Sequence, residues 1–320
     1  MKKILTLIAA ATLLTSCGKT TSSSVEPTKE YDRNTLSIIA PTGAPALAFY
    51  NYAGNSKFET TSKPVDLPGH LAAGSKDVVV APTNAGVKAI KDNNAPYQIA
   101  ATITFGNFYI VSLNNDDNKT MDENDTIILF QKNNVPDKIF HYVYGDQFNT
   151  AIHYATDNSV ATQAVVSGKY SDADTGKEYI PNYVMVAEPA LTNALNKNST
   201  ATVYADVQAK YKEKSSGQAL FQASVFINKN VDKETGKLFL DSLKKDIDDA
   251  IADPTKLSAG MSKDSAPNEF FGVAPQMAEN VLKKNNGMGL GFQSARENKA
   301  AIETFLKLFN IEGVNEEVYY

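Results

Sequence analysis

From Leu36 onward, short apolar runs alternate with stretches of helical periodicity, and this alternation restricts the chain more than any other feature. Strands that alternate with helices build mostly parallel sheets covered on both faces. A first series of strands is predicted at 37–40, 57–61, 77–81, 97–105 and 108–113, a second at 126–130, 148–155, 183–187 and 200–204, and a further strand at 222–228. Asp77-Val78-Val79-Val80-Ala81 is apolar without alternation, as in a strand buried on both faces. Helices are expected from about Ala44 to Tyr52 and at 67–73, 84–92, 135–144, 159–167, 188–195, 233–252, 275–283 and 294–308. In the longest, Leu238, Leu240, Leu243, Ile247, Ala250 and Ile251 make the apolar side. Residues 170–181 read as a polar hairpin, and 114–125 as an acidic surface loop. The expected class is α/β, in two lobes of mostly parallel sheet flanked by helices.

Composition narrows the function. A chain of 320 residues with 42% hydrophobic side chains has enough apolar surface for about two domains. Net charge is −5 and no basic stripe occurs, which argues against nucleic acid as a partner. The only arginines are Arg33 and Arg296, so a guanidinium clamp on a carboxylate or phosphate is not expected. Absence of tryptophan weakens a sugar-stacking pocket, although 15 Tyr and 15 Phe remain.

The amino-terminal residues carry a separate message. Met1-Lys2-Lys3 is basic and residues 4–14 are largely apolar, a run shorter than the ~20 residues that span a bilayer. It fits the apolar region of a secretory leader. Leu14-Thr15-Ser16-Cys17 resembles the bacterial lipobox, and Cys17 is the single cysteine of the chain. The expectation is a signal peptide at 1–16, lipid on Cys17, and a flexible tether at 17–33 rich in Ser, Thr and Lys. The body would then sit outside the cell membrane, held by the lipid and facing the exterior. With one cysteine, no intramolecular disulfide is possible.

Ligands of open α/β sheets bind outside the carboxyl ends of the strands. Three predicted strand ends share a small or polar loop with proline and then a helix start: Pro41-Thr42-Gly43-Ala44-Pro45, Ala81-Pro82-Thr83-Asn84 and Ala187-Glu188-Pro189. Residues 131–136 form a longer fourth. Helix starts offer free N–H groups and partial positive charge, suited to a polar or anionic ligand without arginine. Each such loop is also an ordinary capped turn when taken singly. Glu188 is read either as an acceptor for an amine-bearing ligand or as the acidic first turn of its helix. His70, His141 and His153 lack metal-ligand spacing, and 116–125 lacks the order of a calcium loop, so no metal or cofactor is expected. No Gly-x-Ser-x-Gly elbow, Walker loop or His-Glu-x-x-His occurs, and the reading is not an enzyme. Gly287-Met288-Gly289-Leu290-Gly291 is taken to join the last helices.

Four stretches carry a family resemblance: the lipobox, Ile39-Ala40-Pro41-Thr42-Gly43-Ala44-Pro45, Val80-Ala81-Pro82-Thr83-Asn84-Ala85-Gly86, and residues 161–169 leading to Met185-Val186-Ala187-Glu188-Pro189-Ala190. The chain resembles the solute-binding lipoproteins of ABC importers, of the type II periplasmic-binding-protein fold. The cluster it is most similar to includes nitrate, taurine, aliphatic-sulfonate and thiamine-precursor binding proteins. Residues 170–182 depart from that pattern as an insertion. The resemblance implies lobe 1 at 34–107 and 217–320, lobe 2 at 108–216, and a small-molecule ligand between them. It also implies a membrane permease as partner and a monomer. The chain would cross near 106–113 and return between Ala209 and Gln222. The ligand candidates are Thr42, Gly43, Ala44, Thr83, Asn84 and Asn107 in lobe 1, with Asn133 and Glu188 in lobe 2 and Ser224 near the return. Two alternatives stay open: a surface enzyme, since a thiamine-precursor synthase family shares this fold, and an adhesion lipoprotein.

Overall fold

The computed structural model describes residues 30–114, 120–149, 151–284 and 286–320. The predicted signal peptide, Cys17 and the tether as far as residue 29 lie outside the described residues. No helix among the described residues is long and apolar enough to cross a membrane.

The chain opens with β1 (Ile38–Pro41), α1 (Ala44–Leu47), β2 (Phe58–Thr61), α2 (Leu67–Ala73), β3 (Val78–Pro82), α3 (Thr83–Asn93) and β4 (Tyr97–Thr104). It continues with β5 (Phe108–Ser112), β6 (Ile127–Phe130), α4 (Val135–Tyr144), β7 (Ile152–Ala155), α5 (Asn158–Ser167), the hairpin β8 (Tyr170–Ser171) and β9 (Glu178–Tyr179), and β10 (Tyr183–Ala187). Then come α6 (Ala190–Lys197), β11 (Thr202–Asp206), α7 (Val207–Lys214) and β12 (Ala223–Asn228). The last elements are α8 (Lys233–Ala252), α9 (Pro254–Met261), α10 (Pro267–Phe271), α11 (Pro275–Lys283), β13 (Leu290–Ser294) and α12 (Lys299–Leu306).

Two large sheets carry all the strands but β8 and β9, which pair only with each other. One has the order β13-β4-β12-β3-β1-β2 and the other β11-β5-β10-β6-β7. Parallel pairing joins β2, β1 and β3 in the first, and β10, β6 and β7 in the second. Antiparallel pairing joins β12 to β3 and β4, β13 to β4, and β5 to β10 and β11. The sheets are therefore mixed, where alternation alone suggests mostly parallel ones. The reason is topological. The chain leaves the first sheet at the carboxyl end of β4 and enters the second through β5, then returns into the first through β12. A strand that enters at the end where its neighbours finish has to run against them.

That rule also positions the strand ends. Residues 105–107 and 215–222 connect the two sheets. Thr104 pairs with Ala223, and Phe108 with Ala187. The carboxyl ends of β1, β3 and β4 thus point toward the crossings from one side, and those of β10, β6 and β7 from the other.

The central strands are buried along their whole length in β6, β10 and β12. On α8 the buried stripe is Phe239, Leu243, Ile247 and Ala250, at helical spacing. This corrects the expected face: Leu238 and Leu240 are half-buried and Ile251 is exposed. Asp232 caps α8 by accepting from the Thr235 N–H at 2.9 Å. The same helix carries Asp246, buried and bonded through both oxygens to Arg33 Nη2 at 2.9 Å and through Oδ1 to Asn51 Nδ2. Tyr31 is buried against Phe239. Packing therefore starts inside the segment read from sequence as tether.

A second correction concerns 290–294. These residues are β13, an edge strand on β4, and not a link between helices. The final helix is correspondingly shorter than the predicted 294–308.

Candidate functional site

The crossings are tied together by side chains. Asn107 Nδ2 donates to the Glu188 main-chain carbonyl at 2.6 Å, and Gln222 Nε2 donates to Asn107 Oδ1 at 3.0 Å. The Glu188 N–H returns a bond to the Asn107 carbonyl at 2.9 Å. Asn107, a predicted ligand residue, is buried and spends its amide on this staple. A third segment, ahead of β13, closes on the first crossing. The Phe105 N–H donates to the Gly289 carbonyl at 2.8 Å, and a Cβ on Gly289 would come within 2.1 Å of the Gly106 carbonyl oxygen. Only glycine permits that approach.

At the end of the first sheet, Gly43 has φ +88° and ψ −151°, a conformation open to glycine alone. Its N–H donates to Phe271 and its carbonyl accepts from Ala46 and Leu47. A Cβ there would meet nothing within 4 Å. Thr42 is half-buried beside Gly272, and Ala44 is buried as the first residue of α1. Thr83 and Ser224 are fully buried and bonded to each other, Oγ to Oγ at 2.7 Å, with Thr102 on the other side of Ser224 at 2.8 Å. The structure brings these two candidates together, but as a closed hydroxyl chain behind the strand ends. Asn84 is 9% exposed at the start of α3, and its Oδ1 has no hydrogen-bond partner.

At the end of the second sheet, Asn133 is exposed with φ +64°, and its N–H donates to Asp137 Oδ2 at 2.7 Å. Glu188 is buried at the end of β10. Its carboxylate accepts from the Thr192 N–H at 3.0 Å and the Thr192 hydroxyl at 2.7 Å, so it caps α6. Burial pushes its carboxyl above the usual range, against the opposing pull of the Thr192 bonds and the Lys284 charge.

Two residues of this region were not legible as candidates. Thr104 and Gln222 face each other through the Gln222 N–H and the Thr104 carbonyl at 3.0 Å, and the Thr104 Oγ1 and Gln222 Oε1 atoms are buried without a partner. A threonine ending one strand and a glutamine preceding another carry no motif. Their proximity appears only once β12 is inserted beside β4. Beside the crossings lies an open hollow of about 480 Å³, lined among others by Phe105, Asp206, Gln208, Lys212, Gln218 and Gln293.

Both arginines are engaged elsewhere, Arg33 on Asp246 and Arg296 on the carbonyls of Tyr319 and Tyr320. His70 pairs with Ser75, and His153 stacks on Tyr179 at 3.7 Å between ring centres. His141 sits between Asp137 and Asp146, at 3.2 and 3.1 Å. Among the described residues no group of three or more His, Cys, Asp or Glu side chains is arranged to hold a metal.

No protein-family model matches the sequence, and no curated protein does. Solved structures do match. An ABC transporter structure from Parabacteroides distasonis aligns with a TM-score of 0.68 at 18% identity, over 88% of this chain and 97% of that one. This chain has the periplasmic-binding-protein fold. Two other proteins of that fold match with a TM-score of 0.59. The periplasmic aliphatic sulphonate binding protein SsuA from Escherichia coli is 11% identical, over 85% of both chains. The ligand binding component of an ABC-type import system from Staphylococcus aureus, solved with zinc bound, is 10% identical, over 88% of this chain and 94% of that one. At these identities the likeness is one of fold, and it bears out the fold expected from the sequence.

Proposed function

We propose that this protein is the solute-binding component of an ABC importer. It captures a small polar solute between the two sheets and hands it to a membrane permease, without chemical turnover. One observation carries the reading. The carboxyl ends of parallel strands from both sheets converge on the same two crossings, where polar atoms stand without partners. A solute that touches both sheets favours the arrangement that brings them together. In this reading 34–107 with 217–320 forms one lobe, 108–216 forms the other, and the crossings act as the hinge. The leader places the body outside the membrane on lipid attached to Cys17, as a monomer.

Of the residues predicted from sequence, Gly43, Asn84 and Asn133 serve as solute contacts in this reading. Thr83, Ser224 and Asn107 hold the strand ends and crossings in position. Glu188 shapes the second face from its cap on α6. The test is a thermal-shift screen of the protein against inorganic anions, sulfonates, amines, amides, aminopyrimidines, peptides and metal ions. A solute at 100 times its dissociation constant adds about 2.7 kcal/mol of stability. Selective stabilisation by one chemical class, weakened by Asn84→Ala, supports the reading. A folded protein indifferent to every class argues against it, and turnover of a bound compound would replace it with the enzyme reading.

A further inference from the structure

Three unpaired oxygens stand at the crossings, two amide oxygens and one hydroxyl. Gln222 bridges the patch: its N–H donates to the Thr104 carbonyl at 3.0 Å, and its carbonyl accepts from the Thr83 N–H, next to Asn84, at 3.1 Å. Around this bridge stand Gln222 Oε1, Asn84 Oδ1 and Thr104 Oγ1, all buried and without a hydrogen-bond partner. Native proteins pair nearly all their buried polar atoms, and three exceptions in one patch call for a partner.

The direction of the missing bond can be read from the staple. The Glu188 main-chain carbonyl has no proton to give, so the Asn107 atom that faces it is Nδ2. The other end of the Asn107 amide is then Oδ1, which makes the Gln222 atom bonded to it Nε2. Gln222 is left with Oε1 unpaired, and an amide oxygen only accepts. Neither arginine reaches this region, because Arg33 is held by Asp246 and Arg296 by the chain's last carbonyls. Lys284 acts on the Glu188 carboxylate beside the staple, and Asp206 and Lys212 line the hollow next to the crossings. The unpaired amide oxygens give the patch its acceptors. Thr104, Gln222 and Asn84 all stand at the end of the first sheet where the crossings leave and re-enter it.

Building on the solute-binding reading above, we infer that the solute presents N–H donors here, as an amino, amide or amidine nitrogen, and that Gln222 Oε1, with the Asn84 side-chain amide beside it, is the acceptor that selects it. An oxyanion without a proton, such as an alkyl sulfonate, finds no donor in the two amide oxygens and only the Thr104 hydroxyl beside them, and is disfavoured.

Titration calorimetry of the protein with two probe series tests this. The donor series is 4-aminopyrimidine, nicotinamide and putrescine; the donor-free series is methanesulfonate, nitrate and sulfate. The expected result is binding of at least one donor probe, weakened about tenfold or more by Gln222→Leu and by Asn84→Leu, with no binding of the anions. Asn84→Leu removes an unpaired oxygen, so the empty variant should melt at or above the wild-type temperature, which separates lost recognition from lost folding. Binding of the anions alone overturns the inference and leaves the solute-binding reading intact. Donor binding that both variants retain overturns the assignment to Gln222 and Asn84. Binding of neither series overturns the inference, and the wider thermal-shift screen then decides the solute-binding reading separately.

Discussion

Gln222 Nε2 donates to Asn107 Oδ1 at 3.0 Å across 115 positions of sequence, and this bond links the two chain crossings side chain to side chain. Asn107 passes the link on to the Glu188 carbonyl at the end of β10. Three points far apart in the chain are held at one spot by one buried amide.

Asn107→Ala leaves the Glu188 carbonyl without its donor and Gln222 Nε2 without its acceptor. Buried hydrogen bonds lost in this way cost about 1–3 kcal/mol. Urea unfolding of the variant should show a loss near 2 kcal/mol. A loss within error of zero would mean that the crossings are not held by this residue.

Ser224 stands between Thr83 and Thr102 at 2.7 and 2.8 Å, with all three side chains fully buried. Ser224→Ala strands two hydroxyls and should destabilise by about 1–3 kcal/mol. The triple variant Thr83→Val, Thr102→Val, Ser224→Ala replaces the whole chain with apolar groups and should recover much of that loss. Equal or greater destabilisation in the triple variant would show that the hydroxyls have other partners.

The expected α/β class and most element positions were legible because the central strands are buried on both faces and their residues are uniformly apolar. What was missed has local physical reasons. In β13 only Leu290 is fully buried, and its register on β4 is interrupted by an irregularity, so its glycines read as a linker. In α7 only Val207 and Tyr211 are buried among lysines and polar residues, which leaves almost no apolar stripe. The apolar face of α8 is misplaced when its leucines alone are followed, because Phe239 belongs to the buried stripe and Leu238 and Leu240 flank it. Strand-to-helix loops make Gly43 and Asn84 legible as candidates, but nothing local distinguishes Gln222 from any polar residue ahead of a strand. Thr83 and Ser224 are candidates by the same loop and strand positions, and their hydroxyls are bonded to each other.

Glu188 gives a pH-dependent test. Burial raises its carboxyl in the folded protein above the ordinary value. The folded state therefore holds its proton to higher pH than the unfolded state does, and stability from this group is complete below the unfolded value and lost as pH rises through the folded one. Glu188→Gln carries no such titration. Melting curves of wild type and variant between pH 4 and 7 should show the variant gaining relative to wild type as pH rises. A constant difference would place the carboxylate in a better solvated setting.

Arg33 is the first charged anchor of the packed body, through its contact with the buried Asp246. Arg33→Ala takes the guanidinium from that carboxylate, leaves it the Asn51 amide, and should cost about 2 kcal/mol. Limited proteolysis should then cut more readily around Tyr31. Unchanged unfolding and cleavage would show that this segment contributes little to the body.

Small-angle X-ray scattering of the whole protein, alone and with a saturating amount of a solute that raises its melting temperature, tests the central claim most directly. The account predicts a smaller radius of gyration with solute, because one ligand touching both sheets draws them together. A bound solute that leaves the radius of gyration unchanged would contradict a site between the sheets.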